Sequence, residues 1–169
     1  ALLQPYAALA QRQTDPSQRW LYWHSLGLCL DYAGRLKESL PAWEASCEIA
    51  AAHERDDLRW QSFSCMAATW SKLGQLRKAI DLYATAEQLA RDVEAGAPRQ
   101  WMMTAMRAHR LRDLGDLAAA LPLLDEALQV FTREQMPVEC ASVEHRLAQL
   151  YQQLGQPERA MRLLSVERP

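Results

Sequence analysis

The sequence predicts an all-α fold, a solenoid of antiparallel helix pairs, and three observations carry that prediction. First, the pattern running from Leu73 to Tyr83 returns in four copies centred on Gly34, Gly74, Gly115 and Gly155, spaced 40, 41 and 40 residues apart. Second, each glycine is flanked on both sides by apolar residues at helical spacing, so every copy reads as a joint between two helices. Third, small and large residues recur at fixed distances from the glycine, as close packing of helix on helix demands. A period of this size with two helices per unit is the mark of a repeat array in which each unit packs on its neighbours. The 169 residues therefore read as one domain, with an N-terminal half repeat at 1–13 and four repeats at 16–54, 57–93, 98–134 and 137–166.

Each element follows from local chemistry. Leu2, Leu3, Tyr6, Leu9 and Ala10 share one face of a single amphipathic helix, the half repeat. Asp15-Pro16-Ser17 supplies an N-cap and a proline at the first helical position, where its missing N–H is harmless. The helix that follows, about 16–33, carries Trp20, Trp23, Leu26, Gly27 and Leu30 inward and ends at Gly34. Its partner, about 36–54, buries Leu36, Leu40, Trp43, Cys47 and Ala50; Pro41 near its start should bend the helix without ending it, as should Pro122 in the third unit. Asp56-Asp57 opens the pair 57–73 and 76–93, and the linker Glu94 to Pro98 holds the inserted residue of the 41-residue unit. Helices at 98–114 and 117–134 form the third pair, and Met136-Pro137 opens the last, 137–154 and 157–166, whose Met161, Leu164 and Val166 are left partly exposed.

Counting from each glycine, Gly27, Ala67, Ala108 and Ala148 stand seven residues before it, and Ser39, Ala79, Ala120 and Ala160 five after. Large residues stand six after (Leu40, Ile80, Leu121, Met161) and nine after (Trp43, Tyr83, Leu124, Leu164), where they should fill the seam beside the small ones. Leu36, Leu76, Leu117 and Pro157 come two after. This pattern resembles the tetratricopeptide repeat (TPR), whose helix pair has small, large, glycine, large and small positions in this order. Thr104, Arg107 and Glu144 depart from it, and the closing proline of the common shorter version is missing. The 40-residue length is more similar to the long repeats of kinesin light chains and bacterial signalling regulators. The resemblance implies a right-handed α-solenoid that binds other proteins. Trp20, Trp60 and Trp101 also share a register, and packing against a neighbouring helix explains them better than a ligand-stacking ladder.

Composition narrows the class. A net charge of −2 and a pI near 6.1 give no field to recruit nucleic acid or an anionic membrane. Charges interrupt every apolar run before the ~20 residues of a membrane span. Cys29, Cys47, Cys65 and Cys140 form no CxxC pair and read as free thiols in a reducing, cytoplasmic setting. Three lysines against sixteen arginines suggest a GC-rich bacterial genome. Beginning inside an apparent helix with no starting Met, the chain reads as a piece of a larger protein.

In the family resembled, first helices line a concave groove. Transferred by register, its groove positions fall on Leu21, His24, Leu28 and Asp31, then Gln61, Ser64, Ala68 and Ser71, then Met102, Ala105, His109 and Arg112, then Ser142, His145, Gln149 and Gln152. His24 and His145 come from distant units and cannot share a metal ion with bonds of about 2 Å, so no metal or cofactor is expected. The histidines could instead make binding pH-sensitive near neutrality. His24, Leu28, Cys65, Met102 and Met106 hold the places where chaperone-binding members carry a carboxylate clamp, so no affinity for chaperone tails is expected. Arg112, beside Arg107 and Arg110, is the best anchor for an acidic partner. No phosphate loop, GxSxG or HExxH supports catalysis. Three functions remain: a protein- or peptide-binding module of a regulatory or signalling protein, a small-ligand or peptide sensor of a transcriptional regulator, and a self-assembling module joined through its terminal helices.

Overall fold

The computed structural model describes residues 8 and 12–165, and its residues 16–164 are almost entirely helical. Eight helices lie among the described residues: α1 (Pro16–Tyr32), α2 (Leu36–Ala52), α3 (Asp56–Lys72), α4 (Leu76–Asp92), α5 (Ala97–Leu114), α6 (Leu117–Arg133), α7 (Pro137–Gln153) and α8 (Pro157–Leu164). They are the four predicted pairs, with boundaries within two residues of expectation. The half repeat at 1–13 falls almost wholly outside the described residues, as does Val166. The chain divides into two compact units, Ala1–Ala95 and Gly96–Pro169. The first contains α1 to α4 and the second α5 to α8.

Helix ends are set by backbone chemistry. Asp15 accepts from the amides of Ser17 and Gln18 at 3.3 and 3.2 Å, and so caps α1 ahead of Pro16. Gly34 has φ +73°, and the next amide, that of Arg35, reaches back to the Leu30 carbonyl at 2.9 Å, which satisfies acceptors that a helix terminus leaves free. Second helices close in the same way without glycine. Glu54, Glu94 and Gln135 take φ of 53°, 50° and 56°, and the residue after each donates to a carbonyl five residues back at 2.9 to 3.0 Å. No glycine occupies these three positions. Both α2 and α6 continue past Pro41 and Pro122.

Within each unit, consecutive helices pack on each other, and the first helices of adjoining repeats also touch: α1 with α3, α5 with α7. The small positions five after the glycine, Ser39, Ala79, Ala120 and Ala160, are all buried. So are Trp43, Tyr83 and Leu124 nine after it. The six-after position departs from expectation, since Ile80 and Leu121 are only half-buried and Met161 is 64% exposed. The buried stripe instead runs on through Ser46, Ala86 and Ala127, then Ala50, Ala90 and Phe131. These are steps of three or four residues, one helical face, and the six-after residue sits at its edge. Met161 and Leu164 are exposed, as expected at the end of α8.

The two units fill that template differently. In the first, Trp43 lies so close to Gly27 that a Cβ there would stand 2.7 Å from the indole ring. Its indole N–H donates to Thr69 at 3.0 Å, and that of Trp20 donates to Ser62 at 2.9 Å. The Ser46 hydroxyl also bonds to Ser62 at 2.8 Å. Trp20 is thus structural, although its hydrogen-bond partner lies in the following repeat. The second unit buries an apolar set instead: Leu124 and Phe131 of α6 against Val143, Leu147 and Leu150 of α7.

Candidate partner-binding face

Adjoining first helices carry the residues that the sequence assigns to the groove, and the packing of α1 on α3 decides what becomes of those in the first unit. His24 is stacked on Trp20, with ring centroids 4.4 Å apart, and meets Trp43 edge-on at 5.0 Å. Burial between two indoles pushes its pKa down to about 4. Leu28 packs onto the core around Trp43. Asp31 accepts from the Thr69 hydroxyl at 3.0 Å and is ion-paired with Lys72, so it ties α1 to α3. Gln61 turns back to the carbonyl of Asp57 at 2.8 Å, while Ser64, Ala68 and Ser71 are half-buried. The outward stripe of α1 is displaced around the helix to Leu21, Ser25, Cys29 and Tyr32, of which only Leu21 was assigned to the groove.

In the second unit the assigned residues come together. On α5, Ala105 is buried beneath α7 and offers no surface. Arg112 reaches from α5 to α7, where it donates to Oε1 of Gln149 and, within its own helix, to Asp113 at 2.8 Å. Because that oxygen accepts from the guanidinium, the amide nitrogen of Gln149 must be the donor to Nε2 of His145, 2.8 Å away. His145 is then the tautomer with its proton on Nδ1. The relay Arg112, Gln149, His145 ends at an exposed ring, beside exposed Ser142 and Gln152.

Asp113 gathers the surrounding charge, with Arg110 at 3.3 Å and Nε2 of His109 at 3.8 Å. Burial first, and then the cationic Arg110, Arg112 and Arg146, push His109 down to about 4 against the pull of Asp113. The pH-sensitive window expected near neutrality therefore lies lower for His24 and His109. Farther along the α5/α7 contact, Met102, Ala105, Met106, Phe131, Glu139, Ser142, Val143 and Arg146 line an apolar dimple of about 70 Å³. Sequence reasoning missed Glu139 and Arg146, because they matter only once α5 and α7 are placed side by side. Methionine thioethers suit such a dimple, being able to re-pack against varied side chains.

All four cysteines are free thiols, and burial pushes Cys47 up to about 12 and Cys65 up to about 11, which denies both a thiolate near neutrality. Among the described residues no group of three His, Cys, Asp or Glu side chains converges as a metal ion requires. No helix among them is long and apolar enough to cross a membrane.

No family model matches the chain, and no curated protein matches it in sequence. Solved structures do. A kinesin light chain of Podosopora anserina with nearly identical TPR-like repeats is 22% identical, with TM-score 0.78 over 96% of this chain and 80% of that one. Aspartyl phosphate phosphatase F from Bacillus subtilis is 18% identical with TM-score 0.82, covering 90% of this chain and 40% of its own. A Rap protein complexed with Competence and Sporulation Factor is 16% identical with TM-score 0.78, covering 89% of this chain and 42% of its own. These likenesses show the fold, a TPR-like repeat.

Proposed function

We propose that this chain, with its TPR-like repeat fold, is a non-enzymatic protein-interaction module that holds a peptide segment of its partner on the α5/α7 face. The observation that carries the reading is the Arg112, Gln149, His145 relay beside the Met102/Met106 dimple. A fixed row of polar groups next to an adaptable apolar contact suits a peptide, whose backbone needs hydrogen bonds while one side chain needs burial. A dimple of about 70 Å³ is well below the roughly 300 Å³ at which small-molecule pockets begin, which weighs against metabolite sensing at this face. One similar structure is a complex with Competence and Sporulation Factor, so the fold is compatible with holding a partner. We take residues 1–169 as one cytoplasmic domain of a larger bacterial regulatory or signalling protein.

The test is a selection of peptides from a random library on the immobilised protein, followed by affinity measurements with Arg112→Ala, Gln149→Ala and His145→Ala. The reading expects selected peptides to lose about tenfold or more in affinity for each variant. Unchanged affinity in all three would remove the α5/α7 face as the site.

A further inference from the structure

Of the three lysines of the chain, Lys37 and Lys78 line one cavity of the first unit, while Lys72 is paired with Asp31. Lys37, Leu40, Trp70, Leu73, Gln75 and Lys78 line this cavity, of about 560 Å³, between the first two repeats. Its walls divide by chemistry. Leu40, Leu73 and the Trp70 ring are apolar, and Lys37 and Lys78, both exposed, supply positive charge.

Two neighbouring carboxylates are engaged elsewhere. Glu38 is held by Arg35 at 2.7 Å, and Asp31 by Lys72. Among the described residues no carboxylate is ion-paired with Lys37 or Lys78. Lys78 nevertheless has a fixed place, with its ammonium 4.3 Å from the centroid of the Trp70 ring. A cation held over an aromatic face remains available to an anion on its other side. The cavity is within the size range of pockets that take a ligand group, roughly 300 to 1,000 Å³.

The second unit shows that this is a local construction. At the equivalent registers Ala118 stands in place of Lys37, and Arg159 with Tyr151 in place of Lys78 with Trp70, the cation now 5.9 Å from the ring centroid. One aromatic and one cation recur there, but the second cation is missing. The basic pair belongs to the first two repeats alone.

We infer that this cavity is a second docking site, for an acidic peptide segment that lays an apolar side chain among Leu40, Trp70 and Leu73 and a carboxylate between Lys37 and Lys78. Charge complementarity selects the occupant: the rim holds two cations lacking a carboxylate partner, and the floor is apolar. The site lies wholly in the first unit and does not depend on the α5/α7 reading.

Fluorescence anisotropy with a labelled Leu-Glu-Glu-Leu-Glu-Glu peptide, capped at both ends, tests it at low ionic strength. The peptide should bind, and Lys37→Gln with Lys78→Gln should weaken it by about tenfold or more. Glutamine for glutamate, or serine for leucine, in the probe should weaken it as well. Lys37→Glu with Lys78→Glu should reverse the preference toward a Leu-Lys-Lys-Leu-Lys-Lys probe. Arg112→Ala should change nothing, which separates this site from the α5/α7 face. The inference is overturned if the acidic probe does not bind, if the lysine variants bind it unchanged, if the serine probe binds as tightly, or if inorganic phosphate displaces the peptide at equal concentration. Thermal melts by circular dichroism confirm that the exposed-lysine variants remain folded.

Discussion

The first unit joins its two repeats through indoles and hydroxyls, whereas the second joins its two through leucine, valine and phenylalanine. The helices and their spacing are the same, yet the polar residues of their first helices meet different fates. Around Trp43 the hydroxyl of Thr69 and the carboxylate of Asp31 are consumed in holding α1 to α3. In the second unit an apolar core does most of the joining; Arg112, only 10% exposed, adds one polar bridge from α5 to Gln149 on α7, and the relay leaves the His145 ring exposed at its end. Where the interior is sealed mostly by packing, a repeat can leave a polar side chain such as that of His145 exposed for recognition.

Breaking each interior should show this difference. The largest expected effect is in the second unit, where Phe131→Ala empties a fully buried site and should cost about 3–5 kcal/mol in a urea melt. In the first unit, Gly27→Ala pits a gain in helix propensity of about 1 kcal/mol against overlap with the Trp43 ring. The overlap should win, for a net loss on the order of 1–2 kcal/mol. Trp43→Leu in the same chain should relieve it, so a double-mutant cycle should show the two positions coupled.

Thr69→Val keeps shape and removes the hydroxyl that accepts from Trp43 and donates to Asp31, an expected loss of about 1–3 kcal/mol. Thr104 sharpens the comparison. It is equally buried, but its hydroxyl bonds only to the Gln100 carbonyl of its own helix, at 3.3 Å. Thr104→Val should therefore cost less than ~1 kcal/mol by the same measurement. If the two valine variants lose equal stability, the distinction between a polar and an apolar joint is wrong.

A last expected effect is on acid sensitivity. His24 and His109 titrate near 4 in the folded chain, against about 6.5 when unfolded. Between those values the unfolded chain binds the extra protons, so stability should fall as pH drops from 6.5 toward 4 and level off for these groups below it. His24→Gln and His109→Gln should each flatten that slope in melts across the range.

Much of the fold is legible because it is written locally. A glycine that must take positive φ, a small residue seven before it and a large one nine after are all visible within one repeat. What escapes is set by contacts between repeats. Ser62 is an ordinary helical serine until Trp20, 42 residues away, donates to it. Glu54, Glu94 and Gln135 carry no sign that they adopt the left-handed turn, because hydrogen bonds to the preceding helix hold them there. The candidate face shows the same division. Which residues lie on the first helices can be read from register, but not that His24 is enclosed, Asp31 engaged and Ala105 covered. Those facts depend on the helix that lies alongside.

Gly27 and Trp43 also limit how this array can be rearranged. Moving α3 into the place of α1 would set an alanine against the indole, and moving α4 into the place of α2 would set a tyrosine where the bare glycine leaves room for a larger ring. Either exchange alone spoils the fit, while both together restore a matched pair. Duplication, deletion or grafting should thus succeed here only by whole helix pairs, and only with the following helix that supplies Ser62 and Thr69 to the two indoles.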